Sequence, residues 1–179
     1  MPDLDLREVV VRPLDRADDR SAFSCGNVEL DRFFQRYAGQ NQFRHHIGTT
    51  YIALVGDRLL GFVTVSPGEL AGETVSEQTC KRLPTYPLPI LRMSRLAVDL
   101  RAQGQGVGKL LLRFALKLAL ELRERFGCVG VVVDAKAEAV DFYRKLGFRP
   151  LTVLQGALGD RPEPLPMFLA ARQIAALLG

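Results

Sequence analysis

The chain has 179 residues, 47% of them apolar and 25% charged, with a net charge of +4. Those proportions are ordinary for a soluble globular protein and exclude a disordered, collagenous or disulfide-scaffold chain. The length suits one domain, 1–179, with a substantial core. The first ten residues, MPDLDLREVV, have no apolar leader, and no stretch is long and apolar enough to span a membrane. Cys25, Cys80 and Cys128 are odd in number and scattered, as expected of reduced thiols in a cytoplasm. The mild positive charge admits an anionic partner, such as a nucleotide or RNA, without establishing one.

Val9 to Val11, flanked by charges, predict a first strand. Ser24-Cys25-Gly26-Asn27 then supplies capping chemistry for an amphipathic helix. Its apolar stripe is Leu30, Phe33, Phe34, Tyr37 and Ala38, at i, i+3, i+4, i+7 and i+8, with Arg32 and Arg36 on the other side. Asn41 to Gly48 read as a polar connector. It holds His45 and His46, which without an accompanying Cys or carboxylate cluster read as solvated rather than metal-ligating, so no metal site is expected.

Thr50 to Val55 and Leu59 to Val65 are rich in β-formers and separated by Gly56-Asp57-Arg58, a hairpin of the second and third strands. Ser66 to Pro89, dotted with prolines and glycines, reads as a long connection with a short helix near Val75 to Arg82. Ile90 to Val98 is the fourth strand. Its apolar residues change phase, Leu91 and Met93 on odd positions, Leu96 and Val98 on even ones. A β-bulge at Ser94-Arg95 does this; a strand buried on both faces accounts for it equally well.

Gln103-Gly104-Gln105-Gly106-Val107-Gly108 follows, then a helix whose apolar face is Val107, Leu111, Phe114, Ala115, Leu118 and Leu122, closed by Gly127. A glycine turn opening a helix aims unpaired N–H groups at the positive end of the helix dipole, a site for phosphate or pyrophosphate. The spacing fails both the dinucleotide fingerprint and the P-loop. Lys109 or Leu111 stands where the third glycine of the first belongs, and Gln103 and Leu110 break the second. The plainer reading is a helix start that happens to be glycine-rich. Val129 to Val133 is a short apolar strand, parallel to the fourth because a helix connects them. Ala137 to Lys145 is a helix with Ala139, Phe142, Tyr143 and Leu146 on one face, ended by Gly147. Phe148 to Leu154 predict a strand, Gly156 to Pro166 a loop, Met167 to Ala170 a last edge strand, and Ile174 to Leu178 a terminal helix.

The pattern that does fit, Gln-x-x-Gly-x-Gly at Gln103, Gly106 and Gly108, resembles the acetyl-coenzyme A loop of the GNAT superfamily of N-acetyltransferases. Three segments are similar to one branch, the acetyltransferase toxins of bacterial toxin–antitoxin pairs. They are Phe23-x-Cys25-Gly26-Asn27-x-x-Leu30-Asp31 with the later Gly61-Phe62; Leu83-Pro84-x-Tyr86-Pro87-x-Pro89 leading to Arg95-Leu96-Ala97-Val98-Asp99; and Ala139-x-x-Phe142-Tyr143-x-x-x-Gly147-Phe148. The likeness covers residues 9 to 155; those after Gly156 match no pattern.

The resemblance implies an α/β (α+β) fold, a twisted, mixed, mostly antiparallel sheet of six to seven strands flanked by helices, with the fourth and fifth strands splayed. It implies acetyl-CoA as co-substrate, held by backbone groups of Leu96, Ala97 and Val98 and by the N–H groups of Gln103, Gly104, Gln105, Gly106, Val107, Gly108 and Lys109. A bulge at Ser94-Arg95 would turn a backbone N–H toward the thioester oxygen. Tyr143 matches the general-acid tyrosine, although its spacing alone suits a core aromatic. No general base is evident. A lysine amine, with pKa about 10.4, is protonated at neutral pH, whereas the amine of an amino acid esterified to tRNA is less basic. That favours aminoacyl-tRNA as acceptor, with Arg36, Arg92 and Arg95 as substrate-binding cations among a wider basic set of Arg32, Arg44, Lys81 and Arg82. A ribbon-helix-helix antitoxin, a homodimer and no membrane complete the expectation. A GNAT enzyme acting on a small amine or a protein N-terminus is the alternative, and a non-catalytic CoA-binding module a third.

Overall fold

The computed structural model describes residues 3–71, 87–151 and 164–179. Among them run seven strands: β1 (Val10–Pro13), β2 (Thr49–Val55), β3 (Arg58–Leu70), β4 (Leu88–Val98), β5 (Gly130–Ala135), β6 (Arg149–Pro150) and β7 (Leu165–Ala170). The α-helices are α1 (Val28–Arg32), α2 (Val107–Arg125), α3 (Val140–Lys145) and α4 (Ala171–Leu178). The strand order is β1-β2-β3-β4-β5-β7-β6. The β4–β5 ladder is parallel, and the β1–β2, β2–β3, β5–β7 and β6–β7 ladders are antiparallel. The expected mixed, mostly antiparallel α+β sheet is therefore the one observed. Two compact units divide the chain: Met1–Ser66 with Ser94–Ala115, and Pro67–Met93 with Leu116–Gly179.

In the first unit Asn27 caps α1, its Oδ1 accepting from the Glu29 and Leu30 N–H groups at 3.1 Å each. After Arg32 the helix widens into π-turns at Phe33–Tyr37 and Gln40–Arg44. The wider turn rotates the end of the stripe. Phe33, Phe34 and Ala38 are buried, while Tyr37 is 46% exposed. Phe34 stacks on Phe62 at 4.3 Å, and Phe23 meets both rings edge-on. The polar connector expected from Asn41 begins only after Arg44, because the last π-turn is anchored. Gln42 donates to the Leu14 carbonyl at 3.0 Å and accepts from the Thr50 N–H at 2.9 Å. His45 and His46 are exposed.

The hairpin turn is Gly56-Asp57, and Arg58 already pairs with Val55. A register shift between Ala53 and Leu54 makes Leu60 the extra residue of a bulge. Leu60 is fully buried, and its carbonyl accepts from the Asp99 N–H at 2.8 Å. At Ser94-Arg95 burial does not change phase. Leu91, Met93 and Ala97 are buried, and Leu96 and Val98 are half-buried.

In the second unit β3 continues to Leu70, and β4 begins at Leu88. Ser66–Leu70 and Leu88-Pro89 are thus strand where a connection was expected. Gly68 is present for closeness rather than as a breaker: a Cβ there would lie 2.8 Å from Ile90 Cδ1. The helix expected near 75–82 falls outside the described residues. The parallel ladder runs from Leu91/Val131 to Met93/Val133. β7 is not an edge strand; it lies between β5 and β6. Met167, Phe168, Leu169 and Ala170 are all buried, so both faces of this strand are covered. Of the strand expected over Phe148 to Leu154, Arg149–Pro150 is observed, and residues 152–163 lie outside the described part. The terminal helix starts earlier than expected, at Ala171.

The buried side of α2 is Val107, Leu111, Leu112 and Ala115 in the first unit, and Leu116 and Ala119 in the second. Phe114, Leu118 and Leu122 are half-buried, so the buried face is turned from the expected one. With leucine at 110, 111, 112, 116, 118, 120 and 122 the sequence stripe is broad, and packing chooses its centre. Gly127 ends the helix at φ +94, and its N–H donates to the Leu122 carbonyl at 3.0 Å.

Candidate active site

The glycine loop belongs to the first unit and is anchored at both ends. Asp99, 2% exposed, caps the short 3-10 turn Leu100–Ala102. Its Oδ1 accepts from the Arg101 N–H at 3.0 Å and Nε at 2.9 Å. Its Oδ2 accepts from Arg101 Nη2 at 3.2 Å and the Ser24 N–H at 3.4 Å. Burial pushes the Asp99 carboxyl up, but these donors outweigh it and hold the group below the ordinary carboxylate range. The Gln103 carboxamide turns back, donating to the Val98 carbonyl at 2.9 Å and the Cys25 carbonyl at 3.0 Å. Gln105 accepts from the Leu4 N–H at 3.1 Å and donates to the Arg101 carbonyl at 3.3 Å.

Between these ties, Gly104 has φ +76 and Gly106 φ +91, a region costly for any side chain. No atom lies within 4 Å of a Cβ built on Gly104, so its glycine answers to backbone conformation; at Gly106 the added atom would be 3.0 Å from Leu6 Cδ1. The first helical bond of α2 is Leu110 N–H to the Gly106 carbonyl at 3.1 Å. The N–H groups of Val107, Gly108 and Lys109 precede that ladder and sit at the positive end of a 19-residue helix. The donor set and the absent Cβ atoms fit a pyrophosphate. Upstream, Ala97 is buried and Leu96 and Val98 half-buried; the Val98 carbonyl is already taken by Gln103.

The candidate acceptor-side cations differ in kind. Arg36 is exposed on the first π-turn. Arg95 is half-buried with its guanidinium 3.7 Å from the Phe33 ring centroid, and burial lowers its pKa from the ordinary arginine value. Arg92, in the second unit, is not a free cation: its Nη1 pairs with Asp134 Oδ2 at 2.8 Å.

Tyr143 also belongs to the second unit. A 3-10 turn, Ala137–Ala139, leads into α3, and Gly147 at φ +98 closes it. The Tyr143 ring packs edge-on against Phe142 at 5.3 Å and Phe148 at 5.4 Å, leaving the residue 7% exposed. The ring is buried between Phe142 and Phe148. Burial pushes the phenol pKa up to about 12, so Tyr143 is a neutral proton donor at any physiological pH.

Sequence reasoning missed Asp99 as the anchor of the loop and Gln105 as its tie to the N-terminal segment. The signal for Asp99 was a carboxylate directly after an apolar strand and two residues before an arginine; Gln105 had none.

A family model for an acetyltransferase (GNAT) domain matches residues 46–150, more than half of the chain. The chain belongs to the GNAT acetyltransferase family. As a GNAT protein it is an acyltransferase, and the glycine loop and Tyr143 both fall inside the matched region. It is 28% identical to a tRNA-acetylating toxin of Mycobacterium tuberculosis (strain ATCC 25618 / H37Rv), over 94% of this chain and 95% of that protein. Among solved structures it is similar to AtaT complexed with acetyl-methionyl-tRNAfMet, with TM-score 0.82, 25% identity, and coverage of 96% of this chain and 99% of that one. It is likewise similar to AtaTR bound with AcCoA, with TM-score 0.79, 27% identity and coverage of 97% and 100%.

Proposed function

We propose that this GNAT protein is a toxin that transfers an acetyl group from acetyl-CoA to the amino group of aminoacyl-tRNA, so that translation stops. The observation that carries the reading is likeness over nearly the whole chain to a relative named for that reaction, and to a solved AtaT structure holding acetylated, charged tRNA. It extends to 1–179 as one GNAT domain working in the cytoplasm as a homodimer, silenced by a small ribbon-helix-helix antitoxin.

When bound, acetyl-CoA supplies the thioester-activated acetyl group. In this reading the N–H groups from Gln103 to Lys109 hold its pyrophosphate, and backbone groups of Leu96 and Ala97 its pantetheine arm. Tyr143 gives its phenolic proton to the departing sulfur as the new N–C bond forms and the C–S bond breaks, and solvent restores that proton. A phenol suits this place because it donates without bringing charge into an apolar setting. The acceptor amine, made less basic by its ester, loses its own proton to water. Arg36 and Arg95 are the cations available to acceptor phosphates, and Arg92, already paired, contributes less.

The test is an acetyl-transfer assay on total charged tRNA, with mass spectrometry of the released aminoacyl groups. N-acetylated amino acids are expected with wild-type protein. Acetylation of polyamines or peptide N-termini with charged tRNA untouched overturns the reading in favour of another GNAT substrate class. Binding of acetyl-CoA with no transfer to any amine points to a regulatory module.

A further inference from the structure

The turn Ser24-Cys25-Gly26-Asn27 is hydrogen-bonded to both the glycine loop and α1. From the loop side, the Ser24 N–H donates to Asp99 Oδ2 at 3.4 Å, and the Ser24 carbonyl accepts from the Leu100 N–H at 2.8 Å. The Cys25 carbonyl accepts from Gln103 Nε2 at 3.0 Å. From the helix side, Asp31 of α1 holds the same two residues. Its Oδ1 accepts from the Cys25 N–H at 2.8 Å, and its Oδ2 from Ser24 Oγ at 3.1 Å. Gly26, at φ +87, lies where a Cβ would come within 3.3 Å of Leu100 Cδ2. Both N–H and both C=O groups of Ser24 and Cys25 are thus engaged by residues of two other elements.

Gln103 is the last link of this brace and the first residue of the loop. Both of its partners are carbonyl oxygens, so the nitrogen of the carboxamide must face them. The bond to Val98 closes the loop on its own strand, and the bond to Cys25 ties it to the turn. Gly104, at φ +76, follows at once, so the direction in which the chain enters the N–H cradle is set by where Gln103 is held.

We propose that Gln103 is a positioning residue whose side chain, through the Ser24–Cys25 turn and Asp31, holds the glycine loop in the shape that binds acetyl-CoA, without touching that ligand. This rests on the reading of the loop as the acetyl-CoA site. It accounts for two stretches of the chain, Phe23 to Asp31 and Arg95 to Gly108, as parts of one device.

The experiment is calorimetric titration of acetyl-CoA into wild-type protein, Gln103→Ala, Asp31→Asn and the double variant, with KM and kcat for the same set. Each single change is expected to weaken acetyl-CoA binding about fivefold, the worth of a net hydrogen bond. The double variant is expected to match a single one rather than their product, because both break one chain of contacts. Asp31→Asn is expected to raise KM for acetyl-CoA with kcat within about twofold of wild type. If Asp31→Asn does not fold, Ser24→Ala takes its place. Full affinity in Gln103→Ala, multiplicative losses, or a lower melting temperature with unchanged affinity overturns the brace. Undetectable binding by wild type refutes the acetyl-CoA reading instead. The brace is then decided by hydrogen exchange of the amides at 104–109, which Asp31→Asn is expected to speed; unchanged exchange refutes it.

Discussion

At the scale of single residues, Tyr143 makes two separable claims. Its ring is held by Phe142 and Phe148. Tyr143→Phe is therefore expected to leave the fold intact at neutral pH and to lower the rate of transfer about 100-fold or more. The phenol also titrates differently in the two states. Folded, it keeps its proton to about pH 12; unfolded, it releases it near the ordinary tyrosine value. Between those values the unfolded chain holds fewer protons, so stability present below pH ~10 falls as pH rises toward 12. Urea melts at about pH 9 and 11.5 are expected to show wild type losing up to about 2–3 kcal/mol more than Tyr143→Phe. Equal losses would mean the phenol is not buried. Gly106 makes a steric claim. At φ +91 and beside Leu6, Gly106→Leu is expected to lower acetyl-CoA affinity by about tenfold or more, read by calorimetry, with the overall circular dichroism unchanged.

Elements are held by close approach as much as by burial. β5 and β7 pair along six residues, from Gly130/Ala170 to Ala135/Leu165. A Cβ at Gly130 would overlap the Leu169 carbonyl oxygen and the Phe168 ring, and neither a backbone oxygen nor a buried ring retreats cheaply. Gly130→Ala is expected to cost about 3 kcal/mol, a fall in melting temperature of about 6–12 °C. Gly108→Ala is the contrast, since its Cβ would meet only Val98 Cγ2 at an ordinary 3.7 Å, and its melting temperature is expected to stay near wild type. Equal melting of the two would mean the β5–β7 approach is looser than described. The buried Thr50–Thr64 hydroxyl pair, 2.8 Å apart across β2 and β3, belongs to the same scale: each satisfies the other, so neither is left unpartnered in the core.

For the whole molecule the relevant quantity is charge. A net +4 with Arg36 exposed and Arg95 stacked on Phe33 suits a polyanionic acceptor. Raising salt from about 50 to 200 mM is then expected to raise KM for charged tRNA about tenfold or more, because each neutralised phosphate releases counterions. The KM for acetyl-CoA is expected to change less, its pyrophosphate being held by backbone N–H groups rather than by a row of cations. A tRNA KM indifferent to salt would exclude these arginines as the acceptor's contacts.

What could be read from the order of residues was whatever local chemistry dictates. The hairpin at Gly56-Asp57, the helix ends at Gly127 and Gly147, the glycine loop and the parallel β4–β5 pair all follow from turn residues, periodicity and connection length. The position of Tyr143 was legible only through a family motif, because its spacing alone favours a core aromatic. Tertiary structure decided the rest. β7 became an interior strand because two others pair with it, and no local signal tells an interior apolar strand from an edge one. β3 ran on through Pro67 and Gly68, with the Gly68 backbone lying close to Ile90, a contact between residues that are far apart in sequence. Arg92 found Asp134, and Gln103 found Cys25, across 42 and 78 residues of chain, a separation at which spacing carries no information. Contacts of that kind are set by which surfaces the whole fold brings face to face.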